Sequence, residues 1–270
     1  MSGHASVAIL GVGAMGNALL TGLLRAGWDS EDISLCTRRE EKVEELAQRT
    51  GCHVTLDPAE AIRGRQVIVV SVKPRDVEAL LQSLEGSVES GQLVLSLAAG
   101  VTTQTFEKHL GDVPVIRAMP NTPALVGEGV TGIAAGAHAG LSEFDLAREV
   151  LDAVGSVRMM DESLLDAVTA VSGTGPAYVF LLAEALIEAA LREGIPRDIA
   201  ERFVNQTIRG AGHLLTGTGK SPTELRSQVT SPGGTTAAAM HVLEERGFRA
   251  IVEDAVRAAA KRATDLGGGN

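Results

Sequence analysis

An alternation of chain character restricts the fold more than any other feature. Through the first 135 residues, short apolar runs typical of buried strands alternate with helical patterns. Val7 to Leu10 reads as a strand and Met15 to Ala26 as the helix after it, followed by a strand at Asp32 to Cys36 and a polar-faced helix at Glu40 to Thr50. Val67 to Val72 is nearly all apolar, as expected of a strand covered on both faces. Leu93 to Leu97, Pro114 to Arg117 and Thr131 to Ala135 continue the series. Such alternation predicts a doubly wound, Rossmann-type parallel sheet with right-handed crossovers.

Past about residue 160 the strand signal ends. A helix is predicted from Glu162 to Val171, broken by Ser172-Gly-Thr-Gly-Pro176 and resumed from Ala177 to Glu193. Another opens at Pro196 and reaches Thr216, and Ser221-Pro-Thr-Glu224 carries the signature of a capping box. Phe248, Ile251, Val252, Ala255, Val256 and Ala259 form an apolar stripe on the last helix that needs a partner. The sequence therefore divides into an α/β domain, 1–160, and an all-helical domain, 161–270, with a frayed tail expected at 267–270.

The glycines of Gly11-Val12-Gly13-Ala14-Met15-Gly16 stand between the first strand and its helix. In that context they allow a tight turn, backbone approach to a pyrophosphate and close helix–strand packing. After the second strand come Thr37, Arg38 and Arg39, where an NAD site usually offers a carboxylate to the ribose. Guanidinium groups there suit a phosphate, so NADPH is expected over NADH; a solvated surface pair is the plainer alternative. Val72-Lys73-Pro74 and Ala98-Ala99-Gly100 follow later strands, where ligands bind in such sheets. Lys73 suits a cofactor contact or a turn, and Asn121, between two prolines, suits either a nicotinamide or the holding of its own loop.

Two further motifs lie in the helical half. Ser231-Pro-Gly233-Gly234-Thr235-Thr236 precedes an alanine-rich helix, placing backbone N–H groups and two hydroxyls at a helix start, where a small carboxylate binds readily. A simple helix cap needs only one threonine. Thr174, in the helix break, is either part of a proline kink or a ligand contact.

Composition excludes several classes. A net charge of -10 without a basic cluster argues against nucleic acid, and no uninterrupted apolar run approaches eighteen residues, which argues against a membrane. Cys36 and Cys52 form no Cys-x-x-Cys and the six histidines form no pair at metal spacing, so neither zinc nor a disulfide framework is expected. Residues 1–6 lack the character of a signal peptide, and the cytoplasm is the expected compartment.

Taken together, Asp166 to Tyr178, Val229 to Thr236, Val72-Lys-Pro74, Ala98 to Val101 and Arg117 to Ala124 resemble the pyrroline-5-carboxylate reductase family over nearly the whole chain. The resemblance implies reduction of (S)-1-pyrroline-5-carboxylate to L-proline with NAD(P)H. Carried onto this sequence, Ser231, Gly233, Gly234, Thr235 and Thr236 hold the substrate carboxylate, Thr236 binds the ring nitrogen, Thr174 lies near the ring, and Glu162 is an acidic residue near the substrate. Thr174 replaces a serine of some relatives and keeps its hydroxyl, whereas Asp57-Pro58 stands where some relatives offer asparagine to the adenosine. The resemblance also implies homodimers with interlocked helical domains, assembled in some cases into rings such as a decamer. A β-hydroxyacid dehydrogenase would share the glycine motif but needs a lysine that Ser172 to Leu182 lacks. A non-catalytic NADPH sensor would have no use for Thr174, Thr236 and an intact Pro-Gly-Gly loop.

Overall fold

A computed structural model describes residues 3–267, so most of the expected tail, 268–270, lies outside the described residues. Contacts divide the chain into two compact units, residues 1–174 with 259–270, and residues 175–258.

The first unit is built on an eight-stranded sheet in the order β3-β2-β1-β4-β5-β6-β7-β8. The strands are β1 (Val7–Leu10), β2 (Ile33–Cys36), β3 (His53–Thr55), β4 (Val67–Val70), β5 (Leu93–Ser96), β6 (Val115–Met119), β7 (Gly129–Ala135) and β8 (Gly155–Met159). Its helices are α1 (Ala14–Arg25), α2 (Glu41–Thr50), α3 (Pro58–Ile62), α4 (Val77–Leu84), α5 (Thr103–Leu110), α6 (Leu141–Asp152) and α7 (Leu165–Val168).

Two-sided burial explains the apolar runs. Successive residues of a strand face opposite ways, and each central strand feeds two cores in turn. Val7, Ile9, Val67, Val69, Leu93 and Leu95 pack with Leu19, Leu20 and Leu23 of α1 and Val150 and Leu151 of α6. Ala8, Leu10, Ile68, Val70 and Val94 pack with Ile62, Leu81, Leu84 and the fully buried Phe106 of α3, α4 and α5.

The sheet departs from the expected parallel order at one end. β1 to β6 run parallel, β7 pairs antiparallel with β6, and β8 runs parallel to β7. Only residues 120–128 join β6 to β7, fewer than the dozen or so that a crossover requires. The sequence reading missed β3 and β8, the two edge strands, because each offers one buried side chain, Thr55 and Val157, rather than an apolar run.

The predicted break at Ser172 is a wide turn within a continuing helix. Thr169–Gly173 forms a π-helical turn, closed by Thr174 N–H donating to the Thr169 carbonyl at 2.8 Å. Helix α8 (Gly175–Arg192) follows directly. The junction expected near 160 falls after β8, while the contact division comes later, at 174/175, because Leu165 and Ala170 are fully buried with the first unit.

The second unit contains α8, α9 (Arg197–Gly217), α10 (Pro222–Gln228), α11 (Thr235–Glu245) and the first part of α12 (Phe248–Gly267). Ser221 caps α10 as read: Glu224 Oε2 accepts from Ser221 N–H at 2.7 Å, and Ser221 Oγ accepts from Glu224 N–H at 3.3 Å. Large apolar side chains stand open, with Phe180 62%, Leu181 66%, Phe203 69% and Ile251 62% exposed. By length and composition the helical run Glu162–Arg192 is long and apolar enough to cross a membrane, with a mean hydropathy of 1.4 and at most two charged residues in its most apolar stretch of 18.

The β7–β8 pairing rests on glycine facing glycine. Gly155 has φ 143°, and a Cβ there would collide with the backbone of Gly129, its register partner. Gly155→Ala is expected to cost about 1–3 kcal/mol. Urea unfolding followed by the fluorescence of buried Trp28, at fixed protein concentration, measures it; wild-type stability would mean that the strands do not approach so closely.

Candidate functional site

A cavity of about 530 Å³ opens at the carboxyl ends of β1, β2 and β4. Gly11, Val12 and Gly13 form one wall, Cys36, Thr37, Arg38 and Arg39 a second, and Ser71, Val72 and Lys73 a third; Leu56, Pro58 and Leu80 give it an apolar end. Gly11 must be glycine: it has φ 100°, and a Cβ would lie 2.9–3.0 Å from Val72 and the backbone of Ser71. Gly16 packs its α-carbon against the Gly11 carbonyl, where a methyl group would collide. Gly13 occupies the N-cap of α1 without a side-chain cap, so the first-turn N–H groups are left for an anion. Three walls, two of them carrying cationic side chains, and an open helix end fit a dinucleotide.

The cavity's charged mouth is asymmetric. Arg38 Nη2 donates to Asp76 Oδ2 at 3.0 Å, whereas among the described residues no carboxylate pairs with Arg39. Arg39 also borders a second cavity of about 400 Å³, beside Ala14, Asn17, Lys42 and Arg49, where Arg49 Nη2 donates to Asn17 Oδ1 at 2.9 Å. Lys42 and Arg49 were missed in the sequence, although their spacing of seven on α2 puts them on one helix face. The Cys36 thiol is pushed up to about 11, first by burial and then by the nearby Asp57 and Glu60 carboxylates, which keeps it neutral and unreactive in this wall.

Other expected cofactor residues are dispersed. Met15 and Gly16 lie inside α1, Pro74 opens the short turn that carries Asp76, and Ala98, Ala99 and Gly100 follow β5; none of them lines either cavity. Asp57, where an adenosine contact was in doubt, instead caps α3 by accepting from Ala59 N–H at 2.9 Å.

One face of β6 and its extension clamps the π-turn. Arg117, Met119 and Asn121 alternate along the strand, so they point the same way. Buried Arg117 pairs with Asp166 Oδ1 at 3.1 Å and Glu162 Oε1 at 3.4 Å. Met119 Cε occupies the space where Gly173 would carry a Cβ, 2.9 Å away. Pro176 has no N–H to give the Ser172 carbonyl four residues earlier, and Asn121 Nδ2 donates to that carbonyl instead, at 3.2 Å. Asn121 Oδ1 accepts from Val130 N–H at 2.9 Å, so both ends of the amide hold backbone, the second of the two roles open to it.

Glu162 is likewise engaged: its carboxylate accepts from Thr103 N–H at 2.9 Å and Thr103 Oγ1 at 2.8 Å, at the start of α5. Thr174 Oγ1 donates to the Thr169 carbonyl at 3.1 Å, within its own turn.

In the second unit, the Pro-Gly-Gly loop leads into α11. Gly234, not a threonine, occupies the N-cap, and its N–H donates to the Ser231 carbonyl at 3.1 Å. Gly233 adopts φ 70°, which turns the loop back on itself. Among the described residues no chain group bonds the hydroxyls of Thr235 or Thr236, and Ser231 and Thr235 are exposed. Two free hydroxyls beside an uncapped helix start leave donors that an anion could use.

Asn121→Ala leaves the Ser172 carbonyl and the Val130 N–H without partners. The expected loss is about 1–3 kcal/mol, read from urea unfolding. No change in stability would show that the amide does not hold the π-turn.

Comparison with known proteins finds relatives along nearly the whole chain. Residues 162–266 match the family described as pyrroline-5-carboxylate reductase dimerisation, and residues 6–100 match the one described as NADP oxidoreductase coenzyme F420-dependent. The chain is 41% identical to pyrroline-5-carboxylate reductase of Mycobacterium tuberculosis (strain CDC 1551 / Oshkosh), across 98% of this chain and 97% of that one. Among solved structures, pyrroline-5-carboxylate reductase of Coxiella burnetii superposes with a TM-score of 0.92 at 37% identity, covering 97% of this chain and 98% of that chain. The Plasmodium falciparum pyrroline carboxylate reductase, solved with NADP bound, gives 0.86 at 28% identity, with the same coverage of 97% and 98%. Identity of this extent along nearly the full length settles the relationship: this chain belongs to the pyrroline-5-carboxylate reductase family.

Proposed function

We infer that the chain reduces (S)-1-pyrroline-5-carboxylate to L-proline, the last step of proline synthesis, as an NAD(P)H-dependent oxidoreductase. The observation that carries this reading within the chain is the start of α11, where an uncapped helix and the unused hydroxyls of Thr235 and Thr236 suit a small cyclic acid. Membership of the family removes the β-hydroxyacid dehydrogenase and sensor alternatives.

When bound, the nicotinamide cofactor supplies the hydride for the imine carbon. The chain's own part is orientation and charge. Gly11 and Gly13 bring backbone and the N–H groups of α1 to the pyrophosphate, and Arg38 and Arg39 offer guanidinium groups to a 2′-phosphate, which favours NADPH. Lys73, at the end of β4, serves the cofactor rather than the proton. Ser231, Gly233, Gly234 and Thr235 hold the carboxylate. Thr236 Oγ1 holds the ring nitrogen, which enters protonated or receives its proton through this hydroxyl and water. Thr174 contacts the ring. Glu162 supports the site by fixing Thr103 and Arg117.

The working form is a homodimer that covers the apolar faces of α8, α9 and α12, with a ring such as a decamer as the larger assembly; the match to the dimerisation family over 162–266 and the exposed Phe180, Phe203 and Ile251 support it. Burial of the apolar run 162–192 between protomers accounts for its hydropathy without a membrane. Two free, buried cysteines fit a cytoplasmic location.

Loss of cofactor absorbance with purified protein and pyrroline-5-carboxylate tests the activity; none with either NADPH or NADH would refute it. Thr236→Ala is expected to lower kcat by about a hundredfold, and wild-type turnover in that variant would remove Thr236 from the reaction. Arg39→Ala is expected to raise the NADPH KM by about tenfold while leaving that for NADH in place; equal changes for both cofactors would remove the phosphate role.

A further inference from the structure

We infer that Asp76 sets this enzyme's choice between NADPH and NADH, acting through Arg38. The inference rests on the reading of the 530 Å³ cavity as the cofactor site with a 2′-phosphate at its arginine mouth.

Arg38 and Arg39 are neighbours in sequence but differ in state. Arg39 is unpaired among the described residues, while the Arg38 guanidinium is held by Asp76 across the cavity from β2 to the turn before α4. The Arg38 side chain is 75% exposed and that of Asp76 only 21% exposed. The carboxylate is thus the fixed partner and the guanidinium the movable one. Asp76 keeps its place because its N–H donates to the Lys73 carbonyl at 2.8 Å and Pro74 stiffens the turn.

A 2′-phosphate arriving at this mouth meets one free guanidinium and one already neutralised. Using Arg38 requires breaking or sharing its pair, and the Asp76 carboxylate opposes the phosphate by charge. NADH carries only a hydroxyl at this position, which a carboxylate accepts without penalty. Asp76 therefore moderates a preference that two arginines alone would make steep. The sequence hides this, because Asp76 lies thirty-eight residues from Arg38 and follows a different strand.

An exposed pair is a weak one, and that fixes the scale. Asp76→Asn keeps the side chain's size and its aptitude for a helix start. It is expected to tighten NADPH by about two- to fivefold and NADH not at all. Dissociation constants for both cofactors are measured by isothermal titration on the wild type, Asp76→Asn, Arg38→Ala and the double variant, at low and high salt. Arg38→Ala should weaken NADPH alone, and in its background the gain from Asp76→Asn should shrink. The low-salt gain should also fall as salt rises. If Arg38→Ala weakens NADPH but Asp76→Asn leaves it unchanged, or tightens both cofactors equally, the inference fails while the cofactor site stands. If Arg38→Ala changes neither cofactor, phosphate recognition by Arg38 fails and the inference falls with it.

Discussion

Burial of the central strands on both faces decides where this protein can do chemistry. With β1, β4 and β5 feeding apolar side chains alternately into two cores, charged groups are excluded from both faces of these strands. What remains is the carboxyl ends of the strands, where turns expose backbone and the next helix begins. Gly11 to Gly13, Thr37 to Arg39 and Ser71 to Lys73 are the three turns so placed, and they line one cavity. The site is a consequence of covering the sheet.

β6 solves a second problem. Its neighbour β7 runs antiparallel, so no crossover helix packs over the loop between them, and the end of the strand is free to hold something else. Arg117, Met119 and Asn121 use that freedom to fix the π-turn that carries Thr174. A proline at 176 removes a helical donor, and a wide turn would otherwise be costly. Asn121 offsets both by supplying the missing hydrogen bond from outside the helix. Arg117 holds the same segment through two carboxylates, and Glu162 passes the restraint to the start of α5. A wide turn maintained at this expense, beside a threonine hydroxyl, is where a functional helix distortion is expected.

What could be read from the sequence follows from how local each signal is. β1 and β4 were legible because burial on both faces leaves an unbroken apolar run, whereas β3 and β8, edge strands with one buried side chain each, leave none. The capping box at Ser221 is written within four residues and was legible for that reason. Arg38 and Arg39 were visible as a pair, but their inequality was not, since it depends on Asp76 in another turn. Glu162 was placed near the substrate by resemblance; its bonds to Thr103 and Arg117 join residues 59 and 45 positions away, which no spacing rule reaches. The break expected at Ser172 shows the same limit: Gly-Thr-Gly-Pro reads locally as an interruption, and only the remote Asn121 lets the helix run on.

Charge follows the same logic of local against global. The chain carries -10 overall, yet Arg38, Arg39, Lys42 and Arg49 gather around the end of β2 and the exposed face of α2. An anionic cofactor is repelled by the molecule at long range and attracted only within about a Debye length of this cluster, roughly 10 Å at moderate salt. On the proposed cofactor reading, selectivity then rests on few groups at short range, where a single carboxylate matters. The start of α11 offers an anion donors without net positive charge, since its backbone N–H groups and the hydroxyls of Thr235 and Thr236 are neutral. That division suits the two ligands proposed: guanidinium groups balanced against a carboxylate would tell a phosphate from a hydroxyl, while neutral donors fixed in the fold would meet a carboxylate present on every substrate molecule.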